Sequence, residues 1–232
     1  PPSLPMPAPA MRCATSRCRS PAAASLRKQS PRRCFRCSHR GSDPPKSPLV
    51  TAGLTIIVPY FKKRFLEDAL RSLAAQTEAD FTVIVADDCS PEPAEDLFRF
   101  YFADLRHRYV RFPDNLGRSS LIQHWNRAVR LGVTSWVWLF SDDDVLEPGC
   151  VAALAKATDN FTGSDTGEEV FRFDSRTIEA SGAVVRDNIP HPDFETAREF
   201  SLARFKTPRH VFAQDHAFAR RAFDREGRFV EL

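Results

Sequence analysis

Three stretches of this chain are short, continuously apolar, and rich in β-branched or aromatic residues. They are Leu54-Thr-Ile-Ile-Val58, Phe81-Thr-Val-Ile-Val-Ala86 and Ser135-Trp-Val-Trp-Leu-Phe140. A strand with one wet face alternates polar and apolar residues. Strands that do not alternate are buried on both faces, which requires helices above and below a mostly parallel sheet. The segments between them supply such helices. Phe65, Leu66, Ala69, Leu70, Leu73 and Ala74 recur at helical spacing over 62–76. Ser90-Pro-Glu caps a helix running to about 105. Leu121, Ile122, Trp125, Ala128 and Val129 form a third stripe that stops before Gly132, and Pro148-Gly149 opens a fourth through 157. Tyr109-Val-Arg-Phe112 reads as a short strand, and Pro113-Asp-Asn-Leu-Gly117 as a turn. Strands and helices therefore alternate, which predicts an α/β fold with a doubly wound, mostly parallel sheet. Past residue 160 the pattern changes. Val170-Phe-Arg-Phe-Asp174 with 177–185 predicts a β-hairpin or an edge meander, and 195–205 and 213–223 read as helices, so a small hairpin and helical region is appended.

The first 48 residues differ in kind. They hold 10 of the 18 prolines and ten Lys/Arg against one acid, Asp43, a net charge of +10 − 1 = +9. The remainder carries 23 basic and 29 acidic residues, a net of −6, so the overall +3 belongs to the tail. A globally basic nucleic-acid binder is thereby excluded. So proline-, serine- and arginine-rich a segment buries too little surface to offset its ordering entropy, and 1–52 is expected to be a disordered tail ahead of a domain at 53–232. Cys13, Cys18, Cys34 and Cys37 are spaced C-x4-C-x15-C-x2-C. The last pair is half a zinc site, but the few apolar residues nearby argue against a knuckle. Two other readings of the tail are a transit peptide and upstream sequence foreign to the native protein, with Val50 as an alternative start. No apolar run approaches the roughly 20 residues that span a bilayer.

In open α/β sheets, ligands bind at the carboxyl ends of the strands. Here those ends carry Pro59-Tyr60, Asp87-Asp88 and Asp142-Asp143-Asp144. Five carboxylates at one edge repel one another unless a cation or donor groups satisfy them. Oxygen donors of this kind suit Mg2+ or Mn2+, although each acidic run alone also reads as a solvated loop or a helix cap. No G-x-G-x-x-G and no G-x-x-x-x-G-K-[ST] cradle is present. A phosphate would have to be met by metal plus a basic side chain, and Arg118 after Asn115-Leu-Gly117 fits that need. Cys89 and Cys150 read as reduced or buried thiols, consistent with a cytoplasmic setting. His124 reads as an interior or rim residue of its helix, and His216, beside Asp215, reads either as reaching the site or, the favoured alternative, as an ordinary structural residue.

Taken together these residues resemble the family 2 glycosyltransferases, which have the A-type nucleotide-sugar transferase fold. The resemblance runs through Leu54-Thr-Ile-Ile-Val-Pro-Tyr60, Leu70-Arg-Ser-Leu-Ala-Ala-Gln-Thr77, Val83-Ile-Val-Ala-Asp-Asp-Cys-Ser90, Asn115-Leu-Gly117 with Asn126, and Ser141-Asp-Asp-Asp-Val-Leu-Glu-Pro148. It departs at Trp125, where arginine is usual, at Cys89, where glycine is commoner, and at Ser141, where an acid usually opens the D-x-D motif. The resemblance implies that Pro59, Tyr60, Asp87 and Asp88 bind the nucleoside, that Arg118 and Asp142 approach the diphosphate and sugar, and that Asp143, with Asp142 and Asp144, holds Mn2+ or Mg2+. It further implies a metal-dependent, inverting hexosyl transfer (EC 2.4) of the kind used in polysaccharide biosynthesis. The sugar would pass from a nucleotide-diphosphate donor to a glycan, lipid-linked or protein acceptor, in the cytoplasm or at the inner face of the membrane through peripheral association. The general base is expected beyond Leu232, with Asp215 as the candidate within the chain. Two rivals stand beside this reading. One is a non-catalytic sugar-nucleotide-binding relic. The other is a Mg2+-binding receiver-like signalling module, which lacks its expected lysine at a late strand end.

Overall fold

A computed structural model describes residues 12–15, 51–104, 106–159, 170–206, 211–227 and 229. In chain order its elements are β1 (Arg12–Thr15), β2 (Thr51–Tyr60), α1 (Leu66–Ala74), β3 (Phe81–Asp87), α2 (Glu95–Tyr101), β4 (Arg108–Arg111), α3 (Leu121–Val129), β5 (Thr134–Leu139), β6 (Val145–Leu146) and α4 (Cys150–Asp159). They continue with β7 (Val170–Arg172), β8 (Ser175–Ile178), β9 (Val184–Asp187), α5 (Ala197–Lys206), β10 (His216–Ala219) and α6 (Arg220–Glu226). Single 3-10 turns lie at Lys63–Phe65 and Ala213–Asp215.

The main sheet has six strands in the order β4-β3-β2-β5-β10-β7. The first four are parallel, as the unalternated apolar runs require. Successive residues of these strands point to opposite faces. Ile56, Val58, Val83, Val85, Trp138 and Phe140 join one apolar cluster, with Leu66, Leu70 and Leu73 of α1 and Phe98 of α2. Ile57, Ile84, Ala86, Val137 and Leu139 join the other, with Ala128 and Val129 of α3 and Phe223 of α6. Each such large side chain, fully buried, contributes about 1.5–3 kcal/mol relative to exposure. The sheet is thus covered on both faces, and the expected doubly wound architecture holds.

The appended region differs from expectation. The segment 213–223, expected as one helix, is a 3-10 turn, then β10, then α6. His216-Ala-Phe-Ala219 enters the main sheet antiparallel between β5 and β7, with Ala217 opposite Trp138 and Phe171. A four-residue apolar run shows no period of its own, and pairing on both sides decides its state. The expected hairpin of 170–174 with 177–185 is also rearranged. β7 closes the main sheet, while β8 pairs with β9 in a second, four-stranded sheet of order β6-β1-β8-β9. In that sheet Arg12–Thr15, part of the tail expected to lack order, pairs with β8 and β6, whose backbone groups would otherwise form open edges. The first domain strand also begins at Thr51, two residues before the expected boundary. Among the described residues no helix is long and apolar enough to cross a membrane. Cys18, Cys34, Cys37 and the other positions before Thr51 outside 12–15 fall outside the described residues.

Candidate donor site at the carboxyl edge of the sheet

The topology brings the singled-out residues to one edge. β4, β3, β2 and β5 all end there, so Arg111, Asp87, Tyr60 and the 140–144 segment follow one another along that edge. β10 runs the opposite way beside β5, which puts its first residue, His216, and the preceding Asp215 at the same edge. The repulsion expected among the carboxylates is relieved in part by the chain itself, because Asp87, Asp88, Asp142 and Asp143 each have donors of their own.

Asp87 is fully buried. Its Oδ1 accepts the Ser90 N–H at 2.7 Å, and its Oδ2 accepts the Tyr109 hydroxyl at 2.6 Å and Arg111 at 2.5 Å. Burial, the leading cause, together with this carboxylate, raises the Tyr109 pKa, and the carboxylate raises that of Arg111. Asp88, 2% exposed, accepts at Oδ1 from the Leu116 N–H at 3.0 Å and from Arg127, and at Oδ2 from the Gly117 N–H at 2.7 Å. His124 Nδ1 lies 3.0 Å from the same Oδ1. A Cβ on residue 117 would stand 2.5 Å from Asp88 Oδ2, so only glycine lets that amide approach. Between these loops Cys89 has φ 55, the one non-glycine residue in the left-handed region among those described. The commoner glycine at this position thus has a backbone reason.

After β5, Asp142 is half-buried, and its Oδ2 accepts the N–H groups of Phe61 at 3.1 Å and Lys62 at 3.3 Å. Burial raises its pKa to about 6, against the pull of those two amides. Asp143 is half-buried, and its Oδ1 accepts the Ser141 hydroxyl at 2.5 Å. Asp144 is 1% exposed. Asp142 and Asp143 therefore face different partners. Among the described residues no group of three His, Cys, Asp or Glu side chains is arranged to hold a cation. The expected three-aspartate cage is not preformed, because successive residues leaving a strand point in different directions. What remains is a half-exposed hard-oxygen donor at Asp143, next to Asp142. That donor set fits a divalent cation which takes its other ligands from phosphates and water, the usual habit of Mg2+.

Pro59 is half-buried and Tyr60 is fully buried, its hydroxyl donating to the Glu92 carbonyl, so Tyr60 braces the loop after β3 from below. Arg118 is exposed at the start of the turn leading to α3, where its N–H donates to Asn115 Oδ1 at 2.8 Å and Ser120 caps the helix. Asn126 clamps the backbone of Phe229 with two bonds, of 2.7 and 3.0 Å. His124 is interior, as expected, and burial lowers its pKa. Cys150 is buried, and Cys89 is a half-buried free thiol. Asp215 is 1% exposed, and its Oδ2 accepts the Phe212 N–H at 3.2 Å. Burial lifts its pKa to about 7 and lowers that of His216 to about 4.

Tyr109, Arg111, Asp114 and Arg127 were not singled out from the sequence. Arg111 had a legible signal: it ends β4 opposite Asp87, the end of β3. Arg127 had none, since it meets Asp88 across 39 residues. Arg127 supplies a guanidinium to Asp88 and Asp114.

The model of glycosyl transferase family 2 matches residues 55–223, and the chain belongs to that family. The mannosyltransferase PcManGT from Pyrobaculum calidifontis, solved in complex with GDP-Man and Mn2+, is 20% identical with a TM-score of 0.52, over 80% of this chain and 51% of that one. S. aureus TarS 1-349 is 15% identical with a TM-score of 0.50, over 75% and 49% of the two chains. TarS 1-349 with UDP-GlcNAc is 22% identical with a TM-score of 0.44, over 51% and 33%. The first two likenesses show the fold, and the chain spans about half the length of the solved chains or less. No curated protein matches significantly.

Proposed function

We propose that this chain binds a nucleoside-diphosphate sugar at the carboxyl edge of its sheet and takes part in transferring the sugar, with inversion, to an acceptor hydroxyl. The observation that carries this reading is the pairing, on a family 2 frame, of a half-exposed Asp143 with the exposed Arg118 at the same edge. Arg118 donates to the diphosphate. Asp143, held by Ser141 and flanked by Asp142, holds Mn2+ or Mg2+ in company with that diphosphate, and the mannosyltransferase solved with GDP-Man and Mn2+ supports this assignment. The bound cation would neutralise charge on the departing nucleoside diphosphate. Pro59 and the loops set by Tyr60, Asp87 and Asp88 form the walls of the nucleoside pocket. Asp142 shapes the site by fixing the amides of Phe61 and Lys62.

In the transfer, the acceptor hydroxyl gives its proton to a carboxylate. Its oxygen bonds to the anomeric carbon, and the bond from that carbon to the diphosphate oxygen breaks. Asp215 has a proton affinity suited to the first step, but it is enclosed and bonded to the Phe212 amide. In this reading it holds the 212–215 turn and leaves the acceptor proton to another group. Cys89 as a free thiol fits action in the cytoplasm or at the inner face of a membrane.

Calorimetric titration with UDP and GDP, each with Mn2+ and with chelator, tests the reading. Binding of at least one nucleotide is expected, and it should weaken with chelator. Asp143→Ala should weaken it about tenfold or more, the loss expected for one charged contact. Asp159→Ala, exposed at the end of α4, should leave it unchanged. Equal effects at 143 and 159 would remove the case for this edge.

A further inference from the structure

We propose that α5, with Phe194 just before it, is a membrane-contact element that rests on the headgroup layer of an anionic bilayer, on a surface that the nucleotide reading does not use. Each other α-helix among the described residues buries at least one side chain, and α5 buries none. Its inner face follows from exposure: Phe200 and Ala203, three apart, are half-buried, and the other eight residues are exposed. The stripe turned away from that face, at i, i+4 and i+7, is Arg198, Leu202 and Phe205, with Lys206 beside it. Phe205 is 90% exposed, Phe194 80% and Leu202 44%. Two phenyl rings so wet on one short segment mark a contact surface.

The charge beside these rings names the partner. α5 holds Arg198, Arg204 and Lys206 against one acid, Glu199. That acid is engaged by its own helix end, where its Oε2 accepts the Thr196 N–H and the Thr196 hydroxyl, each at 2.8 Å. Residues 49–232 as a whole are acidic, with 23 basic and 29 acidic side chains. A domain of that balance approaching an anionic surface is turned so that a local basic element leads. The phenyl rings then enter the boundary between headgroups and acyl chains, while Arg and Lys extend their stems and leave their charges at the phosphates. An apolar protein pocket would match the rings and leave the cations unmatched, whereas an anionic bilayer surface matches both. Among the described residues no helix is long and apolar enough to cross a membrane, so the contact at α5 is peripheral.

The place of α5 gives the contact a use. Arg172 ends β7 opposite His216, at the carboxyl edge of the main sheet. It bonds Glu195, and its guanidinium lies 5.1 Å from the centre of the Phe200 ring. α5 is thereby tied to the edge that carries the candidate donor site. If the donor-site reading holds, a membrane-bound chain keeps that edge close to the headgroups, where it would meet an acceptor hydroxyl carried by a lipid.

The test uses the full chain, without nucleotide, and vesicles of phosphatidylcholine alone or mixed with phosphatidylglycerol. The basic residues of 1–48 also attract anionic lipid, so the readout has to report on α5 itself. Phe205→Trp and Val133→Trp each add one fluorescent reporter. Val133 is 43% exposed and precedes β5, at the opposite edge of the sheet. With brominated acyl chains in the mixed vesicles, the reporter at 205 is expected to shift to the blue and be quenched, and the reporter at 133 to do neither. Phe205→Ser should lower partition onto mixed vesicles about tenfold or more, the loss expected for one phenyl ring returned to water. Arg198→Gln together with Lys206→Gln should lower it about tenfold on mixed vesicles and leave binding to phosphatidylcholine alone within about twofold. All the altered side chains are exposed, so these variants keep the fold. Equal quenching at 205 and 133, or unaltered partition of Phe205→Ser, would overturn the proposal and assign vesicle binding to residues 1–48. Self-association of the wild-type chain that is lost in Phe205→Ser, with vesicle binding unchanged, would overturn it as well and make α5 a contact between copies of the chain.

Discussion

At the scale of single residues, the acids of this edge owe their state to what encloses them. Asp215 carries the clearest consequence. Its ordinary pKa of 3.8 rises to about 7 in the folded chain, chiefly because burial penalises its charge. The folded chain therefore holds this proton more tightly than the unfolded chain does. The stabilising contribution is complete below about pH 4 and is lost as pH rises towards 7. Asp215→Asn keeps an acceptor for the Phe212 amide and has no proton to lose. It is expected to match wild type at pH 4 and to be more stable at pH 8 by on the order of 1–4 kcal/mol. Denaturant unfolding at both pH values checks this, and identical pH slopes in the two chains would show that Asp215 is not protonated by its burial. His216, lowered to about 4, adds the opposite slope between about pH 4 and 6.5, since the unfolded imidazole takes a proton there while the folded one stays neutral, but both chains carry that slope and it cancels in the comparison.

At the scale of elements, the acidic segment after β5 is held from behind by the end of α1. Ser72 Oγ accepts the Leu146 N–H at 3.0 Å and donates to the Ala69 carbonyl at 2.7 Å. Gln76 reaches further. Its Nε2 donates to the Glu147 carbonyl at 2.9 Å and the Ser72 carbonyl at 3.0 Å, and its Oε1 accepts the Val151 N–H at 3.1 Å. One amide side chain thus closes the C-terminus of α1, β6 and the N-terminus of α4 onto one another. Gln76→Ala leaves three part-buried backbone groups without these bonds and is expected to cost about 1–3 kcal/mol. Urea unfolding measures the loss. A change below about 0.5 kcal/mol, ordinary for a surface substitution, would mean that the three elements hold together without it.

At the scale of the whole molecule, binding at the edge bears on six strands of one sheet, so a ligand for the folded state should raise the stability of the whole domain. At a nucleotide concentration about a hundredfold above Kd the gain is about 2.7 kcal/mol. For a domain of this size that corresponds to a rise in Tm of about 5–10 °C, given roughly 2–4 °C per kcal/mol. The rise should appear with UDP or GDP plus Mn2+ and shrink in chelator. A Tm unmoved by either nucleotide at millimolar concentration would count against the donor site. Outside the tail, the charge of residues 49–232 is −6, so this rise should not reflect general attraction of phosphate to a basic surface.

The sequence by itself determined the architecture and the edge where chemistry belongs. Unalternated runs such as Phe81–Asp87 admit only a two-sided sheet, and a parallel sheet gathers the residues after each strand at one edge. It could not determine what each acid does there. Asp87 and Asp88 are adjacent and chemically identical, yet one meets Tyr109 and Arg111 while the other meets Gly117, His124 and Arg127. Those partners lie 22 to 39 residues away and are selected by strand register and the placement of α3, which no local pattern encodes. The same holds for β10. His216-Ala-Phe-Ala219 has no period that distinguishes strand from helix, and it became a strand because β5 and β7 each presented an unpaired edge on either side of it. Local propensity is worth tenths of a kilocalorie per residue, and the tertiary context of paired edges outweighs it.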